Sequence, residues 1–92
     1  MILHIVNQSP FANGTLQRCV ACLSEQDGVI LIEDGVYGLS HQALPLSHPV
    51  YFVEADRQAR GIEVDPALNA RAVTYPEFVD LVAHYAKSVS WF

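Results

Sequence analysis

Gly28-Val29-Ile30-Leu31-Ile32-Glu33-Asp34-Gly35-Val36-Tyr37 decides how the rest of this chain is read. Val29 to Ile32 are four consecutive aliphatic residues with no polar alternation. A strand whose two sides differ would alternate, so this run predicts a strand covered on both faces, as in a parallel sheet with helices above and below. Glu33-Asp34-Gly35 then supplies turn chemistry, with Asp tolerating unusual dihedrals and Gly offering positive φ. In open parallel sheets, ligands and chemistry gather just beyond the carboxyl ends of the strands. Asp34, Gly35 and Tyr37 therefore stand where function is expected, although an ordinary strand-ending turn explains them equally well.

Outward from this strand, the chain alternates. Met1 to Val6 reads as a first strand, ended by Asn7-Gln8-Ser9-Pro10. The Asn13-Gly14 pair reads as a turn, and Thr15 is placed to cap a helix running to Leu23 or Ser24. Within it, Leu16, Val20 and Leu23 have the spacing of a buried stripe, with Cys19 at its edge and Cys22 further round. Gly38 to Pro45 has room for a short helix, and Pro45 and Pro49 bound a loop holding His48. Val50-Tyr51-Phe52-Val53 is the third strand. Glu54 to Gly61 makes one or two helical turns with a terminal glycine, and Arg71 to Thr74 is a short fourth strand. Pro76 opens a last helix with Glu77 and Asp80 in its early turns and Phe78, Val82 and Tyr85 facing inward beside Leu81.

This alternation predicts a single α/β domain over residues 1–92. It would be a small three-layer sandwich whose mainly parallel sheet of about four strands has the flavodoxin-like order 2-1-3-4.

Composition bounds what such a domain does. The 92 residues are 51% hydrophobic and only 16% charged, too apolar for a core this thin to absorb. Some apolar surface should remain outside as a partner interface, with Trp91-Phe92 the leading candidate and Tyr37 a further interface residue. The five basic residues form no stripe and the net charge is -5, which excludes the electrostatic footprint of a nucleic-acid binder. No run approaches a membrane span, and the N-terminal residues lack the pattern of a secretory signal. A cytoplasmic chain with reduced thiols is the expectation.

Cys19-Val20-Ala21-Cys22 is formally a C-x-x-C, the pattern of a thiol-disulfide oxidoreductase. Catalytic versions open a helix directly after a strand, where the helix terminus lowers the thiol pKa; this one lies inside the predicted helix, after a long loop. His4, His41, His48 and His84 show no metal-ligand spacing, so no metal is expected. His4, within a strand, reads as a hydrogen-bonded core or interface group. Asp34 has no identifiable catalytic partner.

Five segments in register resemble one family. Leu3-His4, Asn7 and Ser9-Pro10-Phe11 are similar to the opening of the TusB/DsrH sulfur-relay subunits. Glu33-Asp34-Gly35-Val36-Tyr37 is similar to their D-G-V/I-Y turn, and Asp56 with Ala59-Arg60-Gly61 to their D-x-x-A-R-G segment. Tyr75 with Phe78-Val79-Asp80-Leu81 resembles Y-x-x-F-V-x-L, and Trp91 the near-terminal tryptophan.

The resemblance implies a DsrE-like fold and a heterohexamer with TusC/DsrF-like and TusD/DsrE-like subunits. It implies sulfur taken from a TusA-like donor and passed to a TusE-like acceptor, ending in 2-thiouridine at the tRNA wobble position, or service in the sulfur-oxidation branch. The principal sulfur-carrying cysteine belongs to the TusD/DsrE-type subunit. Some DsrH-type members carry a cysteine in the first helix, which makes Cys19 a candidate accessory persulfide carrier; Cys22 lies outside the pattern. The region between Tyr37 and Val50 is shorter than is usual in the family. Persulfide transfer needs only a thiolate attacking a sulfur, so no cofactor is implied.

Overall fold

The computed structural model describes residues 1–40, 44 and 47–92. Its elements in order are β1 (Ile2–Val6), α1 (Thr15–Ala21), β2 (Gly28–Leu31), a 3-10 helix (Glu33–Ser40), β3 (Val50–Val53), α2 (Glu54–Ala59), a short 3-10 turn (Pro66–Leu68), β4 (Ala70–Val73), α3 (Tyr75–His84) and β5 (Lys87–Trp91). All five strands are parallel, in the order β4-β3-β2-β1-β5.

The α/β class and the parallel sheet agree with the sequence reading; the strand order and number do not. The expected order 2-1-3-4 put β1 between β2 and β3, whereas β2 lies between β1 and β3, and β1 lies between β2 and an unforeseen fifth strand. The first three crossovers each advance one position across the sheet, and α3 carries the chain back to the far edge. Strand order is decided by which hydrophobic faces pair, and no local signal in the sequence encodes it. β5 was missed because Lys87, Ser88, Val89 and Ser90 are all exposed, so no buried run marks it.

Period-two side-chain alternation divides the core into two layers. On one face Val6, Val29, Leu31 and Phe52 pack with Leu16 and Cys19 of α1 and with Val36 and Leu39 of the 3-10 helix. On the other, Leu3, Ile5, Ile30, Ile32, Val53 and Val73 meet Phe78, Leu81, Val82 and Tyr85. β2 is buried throughout, as its unbroken apolar run required. The α3 stripe falls as expected, and the helix starts with a full capping box: Glu77 N donates to Thr74 Oγ1 while Thr74 N donates to Glu77 Oε1. Thr74 thereby holds the Glu77 carboxyl below its usual range.

Several local details differ from expectation. Thr15 is the first helical residue of α1 rather than its cap; Gly14 occupies the cap, and Asn13 Oδ1 accepts from Thr15 N. The helix also ends at Ala21, before Leu23. At the end of β2, the positive φ falls on Glu33, at 49°, not on Gly35. Gly35 is needed for room, because a Cβ there would sit 2.1 Å from the Val6 carbonyl oxygen.

Gly61 does take a positive φ, 62°, after α2. There Ile62 N donates to Arg57 O and Gly61 N to Gln58 O, the paired bonds of a Schellman end. His41, and Pro45 as the start of the His48 loop, lie outside the described residues. So does the end of the short helix expected over Gly38 to Pro45.

Candidate functional site at the carboxyl rim

Because the strands are parallel, the loops after β2, β3 and β4 emerge on one rim. Three of the stretches singled out in the sequence meet there. Asp56, in the first turn of α2, accepts the Glu33 amide at Oδ2 (2.8 Å) and the Tyr75 hydroxyl at both oxygens (3.0 and 2.9 Å). Arg60, one turn further on, donates through Nε to Asp34 Oδ1 at 3.0 Å and through a terminal nitrogen to Asp56 O at 3.1 Å. One carboxylate therefore ties the 3-10 helix, α2 and the start of α3 together.

The hydrogen bond to Asp56 is the main cause that raises the Tyr75 hydroxyl above its ordinary pKa, with burial and the Asp56 and Glu33 charges adding to it. The Asp34 side chain is mostly exposed, so its pairing with Arg60 positions the loop and contributes only about 0–1 kcal/mol. Nearby, Arg57 pairs with Glu54 and donates to Ile62 O, which fixes the exit from α2.

Tyr37 is half-buried against the α1-side core and presents its backbone oxygen to Ser40 Oγ. Asp34 and Gly35 stand at the rim as the sequence placed them, one in the ion pair and the other in the close approach to β1.

A second cluster is buried. His4 Nε2 lies 2.9 Å from Asp27 Oδ2, and Trp91 Nε1 donates to His4 Nδ1 at 3.0 Å. An indole nitrogen can only donate, so Nδ1 is unprotonated, and the Nε2 hydrogen points at Asp27. Asp27 also accepts from Ile2 N and Ser24 N, both at 3.0 Å. Burial works to raise its pKa, but the bonds from His4, Ser24 and Ile2 outweigh that and hold the carboxyl below its ordinary range.

The His4 reading as a hydrogen-bonded core group agrees with this network. Asp27 was missed, because in the sequence it is one polar residue in the Ser24–Gly28 turn. A lone buried Asp beside a strand histidine gives no local signal. Trp91 docks on its own sheet beside Val6 and remains half-exposed. Phe92 is 68% exposed.

The cysteines part company. Cys22 is exposed and Cys19 is completely buried in the layer under α1. Burial first, then the Cys22 and Asp27 charges, push the Cys19 thiol up to about 12. Burial therefore disfavours its thiolate, the species that attacks sulfur. Within this fold Cys19 is a small core side chain, and the C-x-x-C does not present two thiols to solvent. Among the described residues no group of three or more His, Cys, Asp or Glu is disposed to hold a metal ion, and no helix is long and apolar enough to cross a membrane.

Residues 8–88 match a family model described as DsrH like protein. The chain belongs to the DsrH-like family. Protein TusB of Pectobacterium parmentieri is 26% identical to this DsrH-like chain over 96 residues, spanning 98% of it and 100% of the relative.

Two solved structures share the fold. The ychN protein from E. coli superposes with a TM-score of 0.75 at 17% identity, covering 97% of both chains. Protein Tm0979 from Thermotoga maritima superposes with a TM-score of 0.71 at 24% identity, covering 91% of this chain and 93% of the other. Of the family-like segments, three converge on Asp56 and the tryptophan joins the buried histidine. Convergence of residues so far apart in sequence is the signal that sequence reading had, but could not place in space.

Proposed function

We propose that this DsrH-like chain is a subunit of a persulfide sulfur relay, and that it shapes a shared transfer site without carrying sulfur itself. The observation that carries the second half is the burial of Cys19, whose thiol is held protonated. Support for the first half comes from the family match and from relatives named Protein TusB. The nucleophilic cysteine then belongs to a TusD/DsrE-like partner, with a TusC/DsrF-like subunit completing a heterohexamer. Sulfur enters from a TusA-like donor, leaves to a TusE-like acceptor and serves 2-thiouridine formation at the tRNA wobble position. The Asp34, Asp56, Arg60 and Tyr75 rim, polar and cross-linked by hydrogen bonds, suits a surface against which a partner docks.

The test is to co-express the chain with its TusC/DsrF-like and TusD/DsrE-like neighbours, load the complex from a persulfide donor and locate the sulfur by mass spectrometry. Co-purification, persulfide on the partner's cysteine alone, and unimpaired transfer by Cys19→Ser and Cys22→Ser variants are expected. Sulfur found on Cys19 would overturn the non-carrier role. Loss of transfer in Cys22→Ser alone would instead favour a dithiol enzyme. Unchanged tRNA 2-thiouridine in cells lacking the chain would remove the tRNA assignment.

A further inference from the structure

β5 is an edge strand of a distinctive kind. It pairs with β1 on one side, and on the other with nothing among the described residues. Its side chains from Lys87 to Ser90 are all exposed, Val89 at 40% of its surface, and Phe92 beyond it is 68% exposed. An open row of backbone donors and acceptors invites a further strand.

The centre of β5 reads the same in both directions, Ser88-Val89-Ser90, and is flanked by Lys87 and Trp91. Antiparallel pairing with an identical strand, centred on Val89, sets Val89 against Val89, each serine against a serine, and Lys87 against Trp91 of the other copy. Residues directly opposite in an antiparallel pair point to the same side. The pairs therefore segregate, with Lys87, Val89 and Trp91 on one face and the two serines on the other.

Each pair is favourable. Apolar meets apolar, hydroxyls can bond to each other, and an ammonium meets an indole rather than another ammonium. The indole is already fixed by its bond to His4, so pairing does not have to order it. A lysine on an edge strand ordinarily discourages pairing; in this register it has an aromatic partner. The opposite edge, β4, has Arg71 within Ala70-Arg71-Ala72-Val73 and no aromatic in the strand to receive it.

We infer that β5 is the seat of a two-fold antiparallel pairing with a second copy of this chain, joining two five-stranded sheets into one of ten strands. Such a contact is isologous and closes on itself. A five-residue strand pair buries less than the roughly 800 Å² per partner of a standard stable interface, so in isolation the pairing is weak and concentration-dependent.

The experiment uses the full chain. Sedimentation equilibrium up to about 1 mM, the weak end of specific association, should show the 10.2 kDa chain shifting toward twice that mass. In a Cys22→Ser background, Val89→Cys should form a symmetric intermolecular disulfide under mild oxidation. Directly opposed residues have Cα atoms about 4.5–5.5 Å apart, within disulfide reach. Ser88→Cys, whose opposite number is Ser90, should cross-link far more slowly, and Val89→Asp should keep the circular dichroism of the parent and lose the dimer.

A chain that stays monomeric throughout, cross-links equally at 88 and 89, or pairs at β5 only with a different subunit overturns the inference. None of these results bears on sulfur transfer by the co-purified complex, so the relay reading stands or falls separately.

Discussion

Replacing Gly35 by Ala should be the most damaging of the glycine-to-alanine changes. The new Cβ would lie 2.1 Å from Val6 O and 2.9 Å from Val6 C, both backbone atoms with no rotamer to yield. That oxygen already accepts from Ile32 N at 3.0 Å, and Gly35 N donates to Ile32 O at 2.8 Å. Relief requires lifting the whole turn off the end of β1, which strains both bonds and loosens the fully buried Val36 behind them. Overpacking costs about 1–3 kcal/mol, and a weakened buried hydrogen bond adds about 1 kcal/mol, so a loss of about 2–4 kcal/mol is expected.

In a domain of this size, each 1 kcal/mol shifts Tm by about 4–8 °C, so melting should fall by roughly 10–30 °C. Thermal and urea unfolding followed by circular dichroism measure it. Gly61→Ala is the control: it meets nothing within 4 Å but sits at φ 62°, so its cost is conformational, about 1–2 kcal/mol. If Gly35→Ala were as mild as Gly61→Ala, the reasoning from close approach would be refuted.

Other expectations follow from the same geometry. Asp27 has a folded pKa below its unfolded value, so its contribution to stability is fully present at neutral pH and is lost as pH falls through the folded value. Urea midpoints should drop steeply below about pH 4, and Asp27→Asn should flatten that acid limb while lowering stability at neutral pH. Trp91→Phe keeps an aromatic ring, though a smaller one, and leaves His4 Nδ1 without its donor, which should cost about 1–3 kcal/mol in urea unfolding. With a thiol reagent at pH 8, Cys22 should react at once and Cys19 only on unfolding. Tyr75→Phe removes the bond to Asp56 at an exposed site and should cost no more than about 1 kcal/mol, read as a small shift in melting.

What could be read in advance was whatever the chain encodes locally. The unbroken Val29 to Ile32 run announced a strand buried on both sides, and the Phe78, Val82 and Tyr85 spacing announced the inner face of α3. What could not be read depends on pairing across distance. β5 carries no buried run, and its place beside β1 is set by where α3 returns the chain. The Asp27–His4–Trp91 column joins residues from three parts of the chain, none of which is unusual alone. Cys19 shows the same limit: its helical position was legible, but whether a stripe edge is sealed depends on the layer beneath it.

Asp56 gives the rim its last consequence. Its two oxygens meet Tyr75, 19 residues away, and Glu33, 23 residues away. The starts of the 3-10 helix, α2 and α3 are held to a common post. A partner docking on one of them at this rim, as proposed above, would find the other two already in position and surrender little disorder on arrival. In so small a body, such readiness for company would rest on a single side chain.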